Sequence, residues 1–290
     1  MTMKQLIRLG LICTMLTLSG NVFAQVQENP RVVTIGGSLT EIVYALGRGD
    51  HLVGVDLTSS WPPEVEKLPK VGLYKSISSE GVLSLVPTHV LAYSNTEPAS
   101  AMQQISSADV FVTIFERNPP QKALFDNILK VGKILTAEQQ AQNLVREIRE
   151  DLEHLEKKVA SFPNRPRVLF LLNYDPSQMM VAGKGTVVDY LIDLAGGVNV
   201  AEAIDGYKPI NAELVTSLVP DVVLSVEERW EDLGAREQMQ ELPGLIDTPA
   251  GRNNRFVALP GALVLGLGPR IAEAVELLAA AIHGPHGSDL

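Results

Sequence analysis

Cysteine is nearly absent from this 290-residue chain, which contains one, Cys13. That residue lies inside an apolar N-terminal run, so the rest of the chain has none. With that N-terminal run removed as part of a signal peptide, the chain forms no disulfides, and its stability in an oxidising compartment has to come from core packing. A thiol nucleophile, a thiolate metal site and an iron–sulfur cluster are excluded for the same reason.

Basic residues are in the minority. The chain has 24 lysines and arginines against 34 aspartates and glutamates, which gives a formal net charge of −10 at pH 7. Nucleic acids and anionic membranes attract basic surfaces, so this balance argues against either partner. The five histidines share neither a helical face nor a ligand spacing, which argues against a zinc site.

Long hydrophobic runs are missing too, and the sequence predicts no membrane-spanning helix. The apolar run over residues 9–18 is too short to cross a bilayer, and it follows a basic start with Lys4 and Arg8. With the small or neutral residues up to Ala24, residues 1–24 have the pattern of a secretory signal peptide. Removing them takes the formal charge from −10 to about −12, because the segment has two basic and no acidic residues.

Strand and helix patterns alternate in two stretches that are separated by one long helical pattern. Short apolar runs such as RVVTI and THVLAY in residues 31–136 are typical of buried parallel strands, and the alternation restarts over 163–284. Residues 137–162 lack glycine and proline and repeat apolar residues at helical spacing. The sequence therefore predicts an α/β fold of two Rossmann-like lobes with parallel sheets, joined by one long interdomain helix.

A repeated segment links the two predicted lobes. EGVLSLVPTHVL over residues 80–91 aligns with ELVTSLVPDVVL over 213–224, and about two thirds of the positions are identical. This indicates an internal duplication of a helix–proline–strand unit. Glu80 aligns with Glu213, and both fall in the first turn of a helix, where the helix dipole favours a carboxylate.

Tyr74 and Lys75 lie in a Gly/Ser-rich loop, GLYKS, outside any periodic apolar run. A tyrosine phenolate is a hard oxygen ligand for ferric iron, including haem iron, and a neighbouring lysine favours the charged form. Elaborated loops at the strand ends of α/β sheets are where ligands bind. The pair is a candidate iron-binding site, and a half-exposed tyrosine that packs by its ring is the alternative.

Further candidates fall on segments that should open towards the same sheet edge. Tyrosine can ligate iron or stack on a flat ligand, methionine offers a polarisable apolar wall, and arginine can pair with carboxylates. Core methionines and solvated loop charges are the alternative interpretation. These candidates are Tyr174, Met179, Met180, Tyr207, Lys208, Arg229 and Trp230.

Together, several segments resemble the periplasmic haem-binding proteins of bacterial haem ABC importers, within the class of binding proteins whose two lobes are joined by one long helix. The resemblance runs along nearly the whole chain after residue 24, and the segments that mark it are TIGGSLTEIVYALG, SISSEGVLSLVP, VAGKGTVVDYLIDLAGGVNV, GYKPINAE, LPGLIDTPAGRNNRFVAL and LGLGPR. In that family the tyrosine commonly follows the loop glycine directly. Here Leu73 follows Gly72 and Tyr74 comes one place later.

The resemblance implies a ligand, a set of site residues and a partner. Haem is the transported ligand, Tyr74 ligates its iron, and the pocket residues are Lys75, Tyr174, Met179, Tyr207 and Arg229. The resemblance also implies a periplasmic binding protein without enzymatic activity, which is expected to be a monomer. Its expected partner is an inner-membrane ABC permease dimer with its ATPase, docked through Glu80 and Glu213.

Other ligands and another class of protein fit parts of the same pattern. A ferric siderophore would favour several basic groups, of which these loops offer few, and a cobalamin would not need Tyr74. A secreted hydrolase on a doubly wound sheet belongs to a different class. The chain has no G-x-S-x-G elbow and no Ser/His/Asp set whose placement supports hydrolysis.

Overall fold

The computed structural model describes residues 29–173, 179–229 and 241–284. Two α/β lobes, each built around one sheet, are connected by one long helix, as the sequence predicts. The elements of the first lobe are β1 (Val32–Ile35), α1 (Gly37–Ala45), β2 (Leu52–Val55), α2 (Ser79–Leu83), β3 (His89–Tyr93), α3 (Ala99–Ser106), β4 (Phe111–Phe115) and α4 (Pro120–Ile134).

The sheet of the first lobe is parallel, in the order β2-β1-β3-β4. The run VVTI of β1 is buried at every position, because helices and loops cover both faces of the sheet. From β1 the chain continues to β2 on one side of the sheet, and from β3 it continues to β4 on the other side. At the carboxyl ends of β1 and β3, the Ser38 hydroxyl lies 2.7 Å from the Tyr93 hydroxyl. Such an edge at the carboxyl ends of parallel strands is where ligands bind in open α/β sheets.

The long helix, α5 (Glu138–Val159), lies within the predicted range 137–162. Its 22 residues extend about 33 Å at 1.5 Å per residue. It packs against α4 of the first lobe and against the last helix of the second, where Lys158 lies 3.7 Å from Glu276. A rigid helix that contacts both lobes restricts how far they can swing apart.

The elements of the second lobe are β5 (Arg167–Asn173), β6 (Met179–Ala182), α6 (Val187–Leu194), β7 (Val198–Asn199), β8 (Tyr207–Ile210), α7 (Ala212–Leu218), β9 (Val222–Val226), α8 (Pro249–Arg252), β10 (Phe256–Leu259), α9 (Gly261–Val264) and α10 (Ile271–His283). The described strands form one sheet in the order β10-β9-β5-β6-β8, and β7 also pairs with β5.

The second sheet is mixed, which departs from the prediction of parallel sheets. Strands β10, β9, β5 and β7 are parallel, whereas β6 is antiparallel to both β5 and β8. Only the five residues 174–178 separate β5 from β6, and so short a connection joins antiparallel neighbours. This pair of strands forms one wall of the inter-lobe cleft.

The repeated segments have the same local structure in both lobes. Arg31 Nε donates to the Val86 carbonyl (2.8 Å), and Arg167 Nε donates to the Val219 carbonyl (3.1 Å). Both valines have left-handed backbones, with φ of 49° and 46°, and both precede a proline. A positive φ is rare for a β-branched residue, so its recurrence supports the duplication that the sequence indicates.

Glu41 of the first lobe and Arg270 of the second connect the lobes a second time. Arg270 donates to both carboxylate oxygens, at 2.7 and 3.1 Å, and its guanidinium lies 4.7 Å from the Trp61 ring centre.

Across the described ranges, no helix is long and apolar enough to cross a membrane.

Candidate ligand-binding cleft

A cavity of about 1530 Å³ lies between the two lobes. Asn95 and Arg117 line it from the loops after β3 and β4, and Leu172 lines it from the end of β5. These positions are the carboxyl ends of strands, where open α/β sheets bind ligands. The volume exceeds the roughly 300–1,000 Å³ of a usual small-ligand pocket, so the cleft has room for a large ligand.

Tyr74 reaches the cleft from a loop that backbone hydrogen bonds hold in place. Its carbonyl accepts from the Glu97 amide (2.7 Å), and the Ser76 amide donates to the Leu73 carbonyl (2.7 Å). Gly72, with φ of 105°, makes the preceding turn, a backbone conformation that suits glycine. The half-buried Tyr74 packs against the core of its lobe and also lines the cavity.

Lys75 places a positive charge beside this tyrosine. Its Nζ lies 5.8 Å from the centre of the Tyr74 ring, and the residue is exposed at the cavity wall. The structure thus brings together the two residues that the sequence proposes as a pair.

Arg117 is a cleft residue that sequence reasoning missed. Its guanidinium lies 5.0 Å from the centre of the Tyr93 ring, and its Nη2 donates to the Leu265 carbonyl of the opposite lobe. This contact sets a positive charge at the place where the lobes meet. The sequence did offer a signal. Arg117 is the second residue after the strand FVTIF, so it lies just beyond the carboxyl end of a predicted strand.

Tyr207 faces the cleft from the second lobe. It begins β8, pairs with Ala182 of β6, and lines the same cavity as Tyr74. Tyr207 is 38% exposed, yet desolvation by the cleft wall raises its pKa to about 12; the charge of Arg117 lowers this pKa and Tyr74 raises it. Tyr207 is therefore a neutral phenol at neutral pH unless a metal ion displaces its proton.

Met180 takes the place in the cleft wall that the sequence assigned to Met179. Met179 is 1% exposed and lies in the core of the second lobe, while Met180 lines the cavity. Adjacent side chains of a strand point to opposite faces, so only one of two consecutive methionines can face the cleft.

The remaining candidates lie away from the cavity or outside the described residues. Arg229 ends a 3₁₀ turn, Glu227–Arg229, after β9; it is exposed, and it is not among the described residues that line the cavity. Tyr174 and Trp230 fall outside the described residues. For Tyr174 the pocket role stays a prediction.

Several of the charged groups in the cleft are already paired. Asp193 accepts from Arg165 at 2.7 Å, and Asp189 accepts from the Gly185 amide at 2.9 Å. Lys184, in contrast, is exposed at the cavity wall, and its ammonium makes no hydrogen bond or ion pair with another described residue. Its charge is available to a carboxylate of a bound ligand.

Glu80 and Glu213 are exposed in the first turns of α2 and α7. The side chains of Ser78 and Asn211 cap these helices, accepting from backbone amides at 3.2 and 2.9 Å. Neither glutamate side chain makes a hydrogen bond or ion pair with any other residue in the described ranges. A favourable interaction with the helix dipole, the alternative to a docking role, requires no such partner.

Two α/β lobes joined by one long helix, with a large cleft between their sheets, define a two-lobed solute-binding protein. The chain belongs to the periplasmic binding protein family, whose model matches residues 32–263.

Solved structures of haem-binding proteins are similar along most of this chain. The periplasmic haem-binding protein RhuT from Roseiflexus sp. RS-1 is 35% identical with a TM-score of 0.84, over 89% of this chain and 99% of that one. BhuT in complex with two haems is 35% identical with a TM-score of 0.83, over 88% of this chain and 98% of that one. These similarities confirm the resemblance and the predicted fold.

A vitamin B12-binding protein is also a relative. The protein from Vibrio parahaemolyticus is 27% identical over 84% of this chain and 86% of its own length. The family thus includes relatives named for two kinds of large metal macrocycle.

Proposed function

We propose that this protein captures haem in the cleft between its lobes and delivers it to an inner-membrane ABC permease. The observation that carries the proposal is the position of Tyr74, beside Lys75, on the wall of a cavity of about 1530 Å³. Similarity to solved haem-binding proteins at 35% identity supports the choice of ligand.

Tyr74 is the proposed ligand of the haem iron. Its phenol loses a proton to solvent as the oxygen binds ferric iron, and the ammonium of Lys75 lies 5.8 Å from the ring centre. A porphyrin brings four nitrogen ligands of its own, so one protein oxygen is enough to complete an axial bond. The main-chain hydrogen bonds around Tyr74 hold the loop before the ligand arrives.

The cleft wall supplies the remaining interactions in this account. Leu172, Met180 and Leu265 offer apolar surface to the porphyrin faces. Removing apolar area from water contributes about 25 cal/mol per Å², which makes face burial the main source of affinity. Lys184 is the proposed partner of a haem propionate.

Cobalamin is the second candidate, because relatives named as vitamin B12-binding proteins are 27% identical to this chain. A corrin also fits a wide cleft, but its cobalt does not require a phenolate. The placement of Tyr74 and Lys75 at the cavity favours haem. A ferric siderophore, usually anionic, favours several basic groups, and the pairing of Arg165 with Asp193 leaves fewer of them at the cavity wall.

The proposed transport cycle places the protein in the periplasm as a monomeric carrier rather than a catalyst. The signal peptide predicted over residues 1–24 lies outside the described residues. Glu80 and Glu213 are the proposed docking residues for a permease dimer with its ATPase. Their equivalent positions suit a partner built from two like subunits that each offer an arginine.

Competition between cargoes tests the proposal. The purified protein is loaded with haemin, and cyanocobalamin and a ferric hydroxamate siderophore are added in excess while protein-bound haemin is measured after gel filtration. We expect neither competitor to displace haemin. Displacement by cyanocobalamin at comparable concentration would assign the cleft to cobalamin instead.

A further inference from the structure

A shallow groove of about 640 Å³ lies on the surface of the second lobe beside Glu213. None of the described residues that line this groove also lines the inter-lobe cavity. Leu214 is 38% exposed there, and Pro209 is exposed as well, so the groove combines apolar surface with one carboxylate. The described lining residues are Pro209, Ile210, Asn211, Glu213, Leu214 and Ser217.

The equivalent surface of the first lobe has the carboxylate of Glu80 without this apolar rim. When the internal repeat is continued without a gap, Pro209 aligns with Ser76 and Leu214 aligns with Gly81. A hydroxyl side chain and a bare backbone thus stand where the second lobe has two apolar side chains. The two glutamates are therefore matched in position and different in surroundings.

The groove suits a basic side chain that arrives together with apolar surface. The exposed Glu213 side chain has no hydrogen-bond or ion-pair partner among the described residues. An arginine can pair with a carboxylate through two parallel hydrogen bonds, and its methylene stem packs on apolar surface. Contact with Leu214 and Pro209 would then exclude water from the ion pair, which is screened less by salt once water is excluded.

We propose that the two lobes dock unequally on the permease, with the groove beside Glu213 taking an arginine and an apolar side chain of one subunit. This rests on the proposed function, which supplies the permease as the partner. Glu80 makes only an exposed charge contact with the other subunit, and exposed ion pairs contribute little. The second lobe therefore carries most of the docking affinity, and its contact is the last to break when the protein leaves.

The binding of single variants to the permease tests this inference. The probe is the permease–ATPase complex of the same organism's haem importer, held in nanodiscs on a biosensor surface. Glu213→Gln should weaken binding about tenfold more than Glu80→Gln does, because it removes the shielded charge. The binding left in Glu213→Gln should also fall more steeply with added salt than the binding left in Glu80→Gln.

The apolar rim has matched variants of its own. Leu214→Ala should weaken binding about fivefold by removing apolar contact area. Leu277→Ala is the control, because Leu277 is 39% exposed on α10 and should not affect docking. Gly81→Leu gives the first lobe the missing side chain and should tighten binding about threefold. A Cβ at Gly81 has room, since its nearest neighbour, the Ser78 Cβ, lies at 3.6 Å.

Two results would overturn unequal docking and leave the proposed function standing. One is a loss in Glu80→Gln that equals or exceeds the loss in Glu213→Gln, and the other is parental binding by Leu214→Ala. Haemin binding should be unchanged in all these variants, because none of the substituted residues lines the cleft. A parent that does not bind the complex contradicts delivery to the permease, and the inference falls with it.

Discussion

Glu41 and Arg270, 229 residues apart in sequence, form a two-pronged ion pair that joins the lobes. The side chains are only 8% and 20% exposed, and Arg270 also stacks on Trp61. Buried in this way, each charge depends on the other, because neither has water to replace its partner. The pair therefore helps to fix how the two lobes meet.

Replacing Arg270 by alanine is expected to destabilise the protein strongly. Glu41 would stay buried without its partner, a change that typically costs about 3–5 kcal/mol. Because Arg270 is partly exposed, we expect a loss of about 3 kcal/mol in the free energy of unfolding. Urea unfolding gives the free energy. Lys122→Ala, which breaks the exposed Lys122–Asp126 pair, is the matched control and should cost under about 1 kcal/mol. Equal losses in both variants would contradict a special role for the inter-lobe pair.

Asp56 should make stability depend on pH. Burial raises the pKa of this carboxyl, although hydroxyls of Thr58 and Ser59 oppose the shift by donating to it. The folded state then binds the proton more tightly than the unfolded state, so the free energy of unfolding falls as pH rises through the folded pKa. Asp56→Asn removes this titration.

Melting temperatures between pH 4 and pH 7.5 measure the effect. Relative to the parent, Asp56→Asn should lose less stability as pH rises across this window. Parallel pH profiles for the two proteins would show that Asp56 titrates alike in the folded and unfolded states.

Lys184 should select for the carboxylates of haem. Lys184→Ala is expected to weaken haemin binding about tenfold, which corresponds to about 1.4 kcal/mol, by removing a charge-assisted hydrogen bond. Binding of haemin dimethyl ester, which has no free carboxylate, should be the same in the parent and the variant. A similar loss for both ligands would mean that Lys184 acts through the shape of the cleft.

Glu80 and Glu213 should matter for transport and not for binding. Changing both to alanine is expected to leave haemin affinity nearly intact and to abolish haem uptake in vesicles reconstituted with the permease. The control is Glu138→Ala with Glu150→Ala, which removes the same charge from the exposed side of α5. Uptake at the parental rate by the Glu80/Glu213 variant would leave these residues without a docking role.

The elements that periodicity defines were predictable from the sequence. The runs RVVTI, THVLAY and PDVVLSV became β1, β3 and β9, because buried parallel strands are apolar at nearly every position. The long helix was predicted from the absence of helix breakers over 137–162 and begins at Glu138. Tyr74 was found because a tyrosine outside any apolar period has no core position to explain it.

Features that depend on contacts between distant segments were not predictable. Which of Met179 and Met180 faces the cleft depends on strand register, and both read alike in sequence. Arg117 and Arg270 acquire their roles only because the lobes bring them to Leu265 and Glu41.

The visible absorption spectrum during a haemin titration tests the central claim, that Tyr74 ligates haem iron in the inter-lobe cleft. The parent should give a saturable Soret band with the features of a high-spin ferric tyrosinate complex. Tyr74→Phe should lose most of the tight binding or shift the spectrum away from that type, because it retains the ring and lacks the oxygen. A Tyr74→Phe protein that binds haemin with the parental affinity and the parental spectrum would contradict the account.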